Sequence, residues 1–221
     1  MKSSADLFEA IQQRDLQKLS LILDESPHLA ETRNEQGISA VMLALYYQNQ
    51  EAVKLLRNTG IELDLWEAAA LGDIARAQEC LKSKPDSVST FSPDGFTPLH
   101  LAAFFRRSNV VKLLLDRNAE VNLVSKNDIK VMPLHSAVAG GDFEVAKQIV
   151  EHEAEVNARQ AGGFTPLMGA AQNGDLDLVK LLLLRGADIA MKSDEGKMAL
   201  DFAPNGEVKA LLTTNATQIS K

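Results

Sequence analysis

The 221-residue chain is poor in several things, and each shortage removes a class of protein. It has one cysteine, Cys80, which cannot close an internal disulfide, so a disulfide-stapled secreted scaffold is excluded and a reducing cytoplasm is expected. Its opening, Met1-Lys2-Ser3-Ser4-Ala5-Asp6, lacks the apolar stretch of a secretory signal. No apolar run approaches the roughly 18 residues that a bilayer-spanning helix needs, so a soluble chain is expected. Basic residues are in deficit: 23 Lys and Arg stand against 30 Asp and Glu, a formal charge of −7. The acids are scattered, and the resulting background field repels nucleic acid and anionic membrane, leaving neither as an expected partner. Aromatic residues make up only 5%, yet 45% of the chain is apolar, enough for a substantial core.

What the chain has in abundance is repetition. Gly95-Phe-Thr-Pro-Leu-His-Leu-Ala-Ala returns as Val131-Met-Pro-Leu-His-Ser-Ala-Val and as Gly163-Phe-Thr-Pro-Leu-Met-Gly-Ala-Ala. With Thr97 as anchor, equivalent positions fall at Ala5, Ser39, Leu63, Met132, Thr165 and Met198, a period of about 33 residues. Thr-Pro opens a helix because proline at the first helical position has its φ preset and no N–H to leave unpaired. A second apolar stretch with helical spacing follows in each unit, as at 110–115, 145–150 and 178–183. Each unit therefore reads as two short helices that cannot bury their apolar faces alone and must stack on their neighbours.

These motifs resemble the ankyrin repeat. The resemblance covers nearly the whole chain and implies one all-α domain, 1–221: a solenoid of about seven helix-turn-helix units joined by short β-hairpin fingers. The expected units are 1–33 (N-cap), 34–62, 63–91, 92–126, 127–159, 160–192 and 193–212 (C-cap, shortened around Ala203-Pro204-Asn205-Gly206), with a polar tail at 213–221. The wording of residues 91–105 is similar to that of bacterial members of the family. Only 24 residues separate Ser39 from Leu63, so the finger between the second and third units is expected to be missing. A shift of 58 residues lays Asp6-Leu-Phe-Glu-Ala on Asp64-Leu-Trp-Glu-Ala and Pro27, Gly37 and Val53 on Pro85, Gly95 and Val111; the first half reads as a duplicated two-repeat module. Past each second helix a left-handed stop is expected, which Gly60 and Gly186 suit and Asn118 tolerates; Glu153 is expected to be strained there.

Catalytic chemistry is not readable. His100 and His135 share one repeat position, where the resemblance implies hydrogen bonds within the turn and to a threonine three residues earlier; Thr97 serves His100, while Met132 denies His135 that partner. His28 and His152 have no second ligand at helical spacing, so no metal or other cofactor is expected. Cys80 aligns with Ile22, Leu56, Leu114, Ile149 and Leu182 and is expected to be a buried, inert thiol. Gly140-Gly141 and Gly162-Gly163 lack the strand and helix context of a phosphate loop, and no nucleophile elbow or paired carboxylates stand out. An enzyme is not expected.

A binding surface is. The resemblance places two columns on the concave groove: Ile38, Phe96, Val131 and Phe164 at the finger bases, and Tyr46-Tyr47 and Phe104-Phe105 on the inner helices. Arg106 and Arg107 replace the family's Gly-His at the inter-helix turn, beside these aromatics. Aromatic residues and arginine are the types enriched at binding hot spots. The implied function is non-catalytic binding of a protein partner by a scaffold or adaptor, monomeric unless a second copy fills the groove; the alternative is an inhibitor or antidote that covers an enzyme's working surface. The lysine column Lys54, Lys112, Lys147 and Lys180 on the outer helices reads as a solvated face.

Overall fold

The computed structural model describes residues 2–204 and 206–219, with side chains described as far as residue 215; Asn205, in the shortened terminal unit, lies outside the described residues. Seven helix pairs follow one another: α1 Ser4–Gln13 and α2 Leu16–Glu25, α3 Ala40–Tyr46 and α4 Gln50–Asn58, α5 Leu65–Leu71 and α6 Ile74–Ser83, α7 Pro98–Phe104 and α8 Ser108–Asp116, α9 Pro133–Gly140 and α10 Phe143–Glu151, α11 Pro166–Asn173 and α12 Leu176–Leu184, α13 Ala199–Phe202 and α14 Glu207–Ile219. Odd-numbered helices stack as an inner row, even-numbered ones as an outer row. Helix α14 continues past Thr213, through the segment whose composition suggests a polar tail.

The ends of the helices follow the local chemistry. Thr97, Ser39 and Thr165 accept from backbone N–H groups in the first turns of α7, α3 and α11, while Asp15, Asp73, Asp142 and Asp175 do the same for α2, α6, α10 and α12. Helix α5 begins one residue later than the repeat spacing indicates: Asp64, not Leu63, is its cap, and Glu67 returns a hydrogen bond to the Asp64 N–H. Left-handed residues end the second helices at Gly60, Asn118, Glu153 and Gly186 as expected, Glu153 at φ 63°.

The joints between units are tight turns, and among the described residues the only β pairing is an isolated antiparallel bridge, Arg33 with Ser39. Five turns are each closed at the base by a backbone bond, from Asn34, Ser92, Ser125, Gln160 and Ser193 to the carbonyls of Ile38, Phe96, Val131, Phe164 and Lys197. Residues 61–64, between α4 and α5, contain no such turn. Successive fingers are linked by Lys126, Ala161 and Asp194 N–H groups donating to Gly95, Ile129 and Gly162. Pro93 occupies the matching place in its finger and has no N–H to give; instead it packs over Gly37, where a Cβ would lie 2.7 Å from the Pro93 Cβ. The two fingers on either side of the gap therefore touch directly.

The duplicated module is visible in the 3-10 turns Pro27–Glu31 and Pro85–Ser89, which follow α2 and α6 alone. Its boundary is also a seam. Buried side chains form two clusters that meet at α5, one built on α1–α4 with Ala70 and Leu101, the other running from Leu65 to Leu212. Among adjacent outer helices, α4 and α6 alone lack extensive contact. Polar links cross this seam: Arg57 to Asp73 at 2.9 Å and Arg33 to Asp64 at 2.8 Å, with Glu67 3.8 Å from Arg33. Burial and the Asp64 charge raise the Glu67 carboxyl above its usual range.

Candidate functional site

On the inner face, α5 contributes only small buried residues over Ala68-Ala69-Ala70. Its neighbours close over it. The Tyr46 ring, from α3, stacks on Phe105 beyond the end of α7, with centroids 6.0 Å apart, and its hydroxyl donates to Asp94 on the facing finger at 2.5 Å. Burial and the Asp94 charge push the Tyr46 hydroxyl far above the usual phenol range, so it stays a donor. Tyr46 and Phe105, read from the sequence as groove residues, are thus half-buried and packed on each other.

Arg107 also has an internal task. Its Nε donates to the Ala70 carbonyl at 2.9 Å, satisfying a C-terminal carbonyl of α5, and its side chain lies over Gly72, where a Cβ would come within 2.9 Å of the Arg107 Cδ. Arg14 does the same for α3, donating to the Tyr47 carbonyl at 2.7 Å. Burial and the adjacent Arg106 charge lower the Arg107 guanidinium pKa, though arginine stays charged.

The outward-facing set is different. Tyr47 is 42% exposed and Phe104 44%; Arg106 is exposed, sits at φ 60°, and its guanidinium makes no hydrogen bond or ion pair among the described residues. Phe104 stands edge-on to Phe105 at 5.2 Å. Together with Leu45, Gln48, Gln50, Ala139 and Gly140, the residues Tyr46 and Phe104 to Arg107 line a groove of about 580 Å³ with no carboxylate in its wall. It runs on past Ala139 into a second depression of about 480 Å³, lined by His135, Val138, Phe164 and Gln172 among others. Gly140 and Gly169 let these helices approach, since a Cβ would lie 2.7 Å from the Phe104 carbonyl oxygen and 2.8 Å from the Val138 Cγ1, respectively.

The finger-base column is mainly packed. Val131 is buried, Phe96 tilts against His100 at 6.0 Å, Phe164 against Phe202 at 4.6 Å, and Ile38 is half-buried against the N-terminal core. His100 accepts the Thr97 N–H on Nδ1, which also lies 2.7 Å from the Thr97 hydroxyl, and its Nε2 reaches the Val131 carbonyl of the next unit at 3.0 Å. His135 repeats the pattern without a hydroxyl, accepting the Met132 N–H at 3.2 Å and reaching the Phe164 carbonyl at 3.3 Å. Both imidazoles are pushed down by burial, His100 to about 4. His152 Nδ1 is 2.8 Å from the Gln148 carbonyl and His28 is exposed on a 3-10 turn; among the described residues no three His, Cys, Asp or Glu side chains form a metal-sized group.

Cys80 is half-buried rather than enclosed, although the five aliphatic residues of its column are fully buried. Its Sγ lies 3.9 Å from the Leu63 carbonyl beside the seam, and desolvation raises its thiol pKa. Of the lysine column, Lys54 pairs with Glu51 at 2.7 Å and Lys180 lies 3.8 Å from Asp177, as a solvated face would. No helix among the described residues is long and apolar enough to cross a membrane.

The family model for ankyrin repeats, in three copies, matches residues 7–125 and 122–193. The chain belongs to the ankyrin-repeat family. It is 32% identical over 152 residues to the B-cell lymphoma 3 protein homolog of Mus musculus, 65% of this chain and 33% of that protein. It is also 34% identical over 108 residues to alpha-latrocrustotoxin-Lt1a of Latrodectus tredecimguttatus (48% of this chain, 7% of the toxin), and 30% over 148 residues to tyrosine-protein kinase Shark of Drosophila melanogaster (66% and 16%). The chain spans about a third or less of each relative's length. Ankyrin repeats are in general protein–protein interaction modules, and the likeness carries that much and the architecture.

Proposed function

We propose that this chain is a non-catalytic protein-recognition module, a cytoplasmic scaffold or adaptor working as a monomer, that seats a segment of its partner in the groove between α3 and the α7–α9 pair. The observation that carries this is the contrast within one cluster: Tyr46, Phe105 and Arg107 are occupied inside the fold, whereas Phe104, touching Phe105 by its edge, stays 44% exposed in the groove wall beside Arg106, whose guanidinium has no partner among the described residues. A solvated repeat face gains nothing from a large exposed aromatic beside an unpaired guanidinium, while a binding surface gains contact area and a hot-spot residue type. Because the walls are packed helices, little conformational entropy is lost when the groove is filled.

Affinity capture from a cytoplasmic extract tests this, with the native chain beside a Phe104→Ser, Arg106→Glu variant. Both positions are exposed, so the variant should keep the native circular dichroism and urea midpoint. A protein retained by the native chain alone supports the groove. Equal retention by both discards it and moves the site to the fingertips.

A further inference from the structure

We propose that the segment the groove accepts is acidic, a short stretch of the partner in which an aromatic or branched apolar side chain adjoins at least one carboxylate. The proposal rests on the groove being the docking site and adds what the docked segment is made of.

The inter-helix turn is where the argument lies. In four other units the residue before the second helix is an aspartate, Asp15, Asp73, Asp142 or Asp175, whose carboxylate caps that helix. In the unit of α7 and α8 it is Arg107, and α8 has no side-chain cap. Charge is therefore reversed at this turn of the groove wall, while the facing turn between α3 and α4 contributes the uncharged Gln48 and Gln50. The preceding residue takes a left-handed backbone, which Gly72, Gly141 and Gly174 adopt freely and Arg106 adopts against its Cβ. Arg107, which caps nothing, binds the Ala70 carbonyl, and Arg14, left-handed at the place of Arg106, binds the Tyr47 carbonyl while Asp15 still caps α2. Arg106 makes no such bond among the described residues. Its guanidinium projects unpaired at the rim of a wall that holds two arginines and no carboxylate, on a chain whose net charge is −7.

That concentration of positive charge in a negative molecule is complementary to carboxylates, which the guanidinium fork can bind with two parallel hydrogen bonds. The net negative charge of the chain disfavours nucleic acid. Beside the guanidinium, the exposed face of Phe104 and the small walls at Ala139 and Gly140 offer an apolar seat, so a carboxylate and a neighbouring apolar side chain can be held together.

Selection of a random short-peptide display library on the immobilised chain reads this directly. The expected outcome is enrichment of peptides with Asp or Glu beside Phe, Trp or Leu. A synthetic peptide of that kind should bind about tenfold or more weakly to the Arg106→Glu chain, nearly normally to Arg106→Lys, poorly to Phe104→Ser, and more weakly as ionic strength rises. Neutral or basic peptides that still depend on Phe104 would overturn the acidic segment and leave the groove standing. Peptides indifferent to both substitutions would overturn both readings. A library that yields nothing would also overturn this proposal, since no short segment would then suffice.

Discussion

Adjacent side chains in one cluster have separate tasks, and the difference is measurable. Arg107→Ala should remove the bond to the Ala70 carbonyl and cost about 1 kcal/mol, while Arg106→Ala, with no internal bond to lose, should stay within about 0.5 kcal/mol of native. Urea unfolding of the two variants checks this pair; equal losses would mean that Arg106 is also structural. Glu153 tests strain in isolation. It holds φ 63° at an exposed position where Gly60 and Gly186 stand in other units. Relief of the Cβ clash outweighs the added freedom of the unfolded chain, so Glu153→Gly should raise stability by about 0.5–1 kcal/mol, read as a higher urea midpoint with an unchanged slope.

Among the elements, the start of α9 lacks what α7 and α11 have. Met132 offers no hydroxyl to the first turn or to His135. Met132→Thr should supply both and stabilise by about 1 kcal/mol, a gain that thermal unfolding would register. The two histidines also couple the inner helices to pH. Each is held neutral in the fold, bridging to the carbonyl of the next unit, and His100 titrates only near 4. The unfolded chain takes up protons on these rings from about pH 6.5 downward, so it binds more protons than the fold between those values. Stability is then full above about pH 6.5, falls as the pH drops toward 4, and loses about 3 kcal/mol through His100 alone. Urea midpoints for the native chain and His100→Gln across this range should converge in acid; parallel profiles would show that His100 is not the source.

For the whole molecule, the missing finger matters more than any single side chain. Where residues 61–64 run without a turn, the continuous core narrows to α5 and the outer helices part. Tyr46 then becomes the strut that joins α3 to Phe105 and Asp94. Arrays of this kind lose stability unit by unit when an interface is weakened. Tyr46→Ala should accordingly speed amide exchange in α1–α4 while α9–α12 keep their protection. Uniform loss along the chain would mean that the seam does not divide it.

The ankyrin repeat and its pairs of short helices were legible in the sequence, because they rest on period and capping chemistry, which are local. The aromatic and arginine cluster was legible only as a cluster. Tyr46, Tyr47 and Phe104 to Arg107 carry the same signal in one dimension, yet three of them turn inward. What separated them is that the absent finger brings α3 and the Pro93 finger together over the small residues of α5, and the unsatisfied carbonyl end of that helix draws in Arg107. The half-exposure of Cys80 at the seam and the late start of α5 at Asp64 follow from the same junction. Sequence by itself determined the elements and their order, since hydrogen bonds and apolar period act within a few turns. Only tertiary structure decided which side chains were left over for a partner, because that depends on which neighbours close over each one.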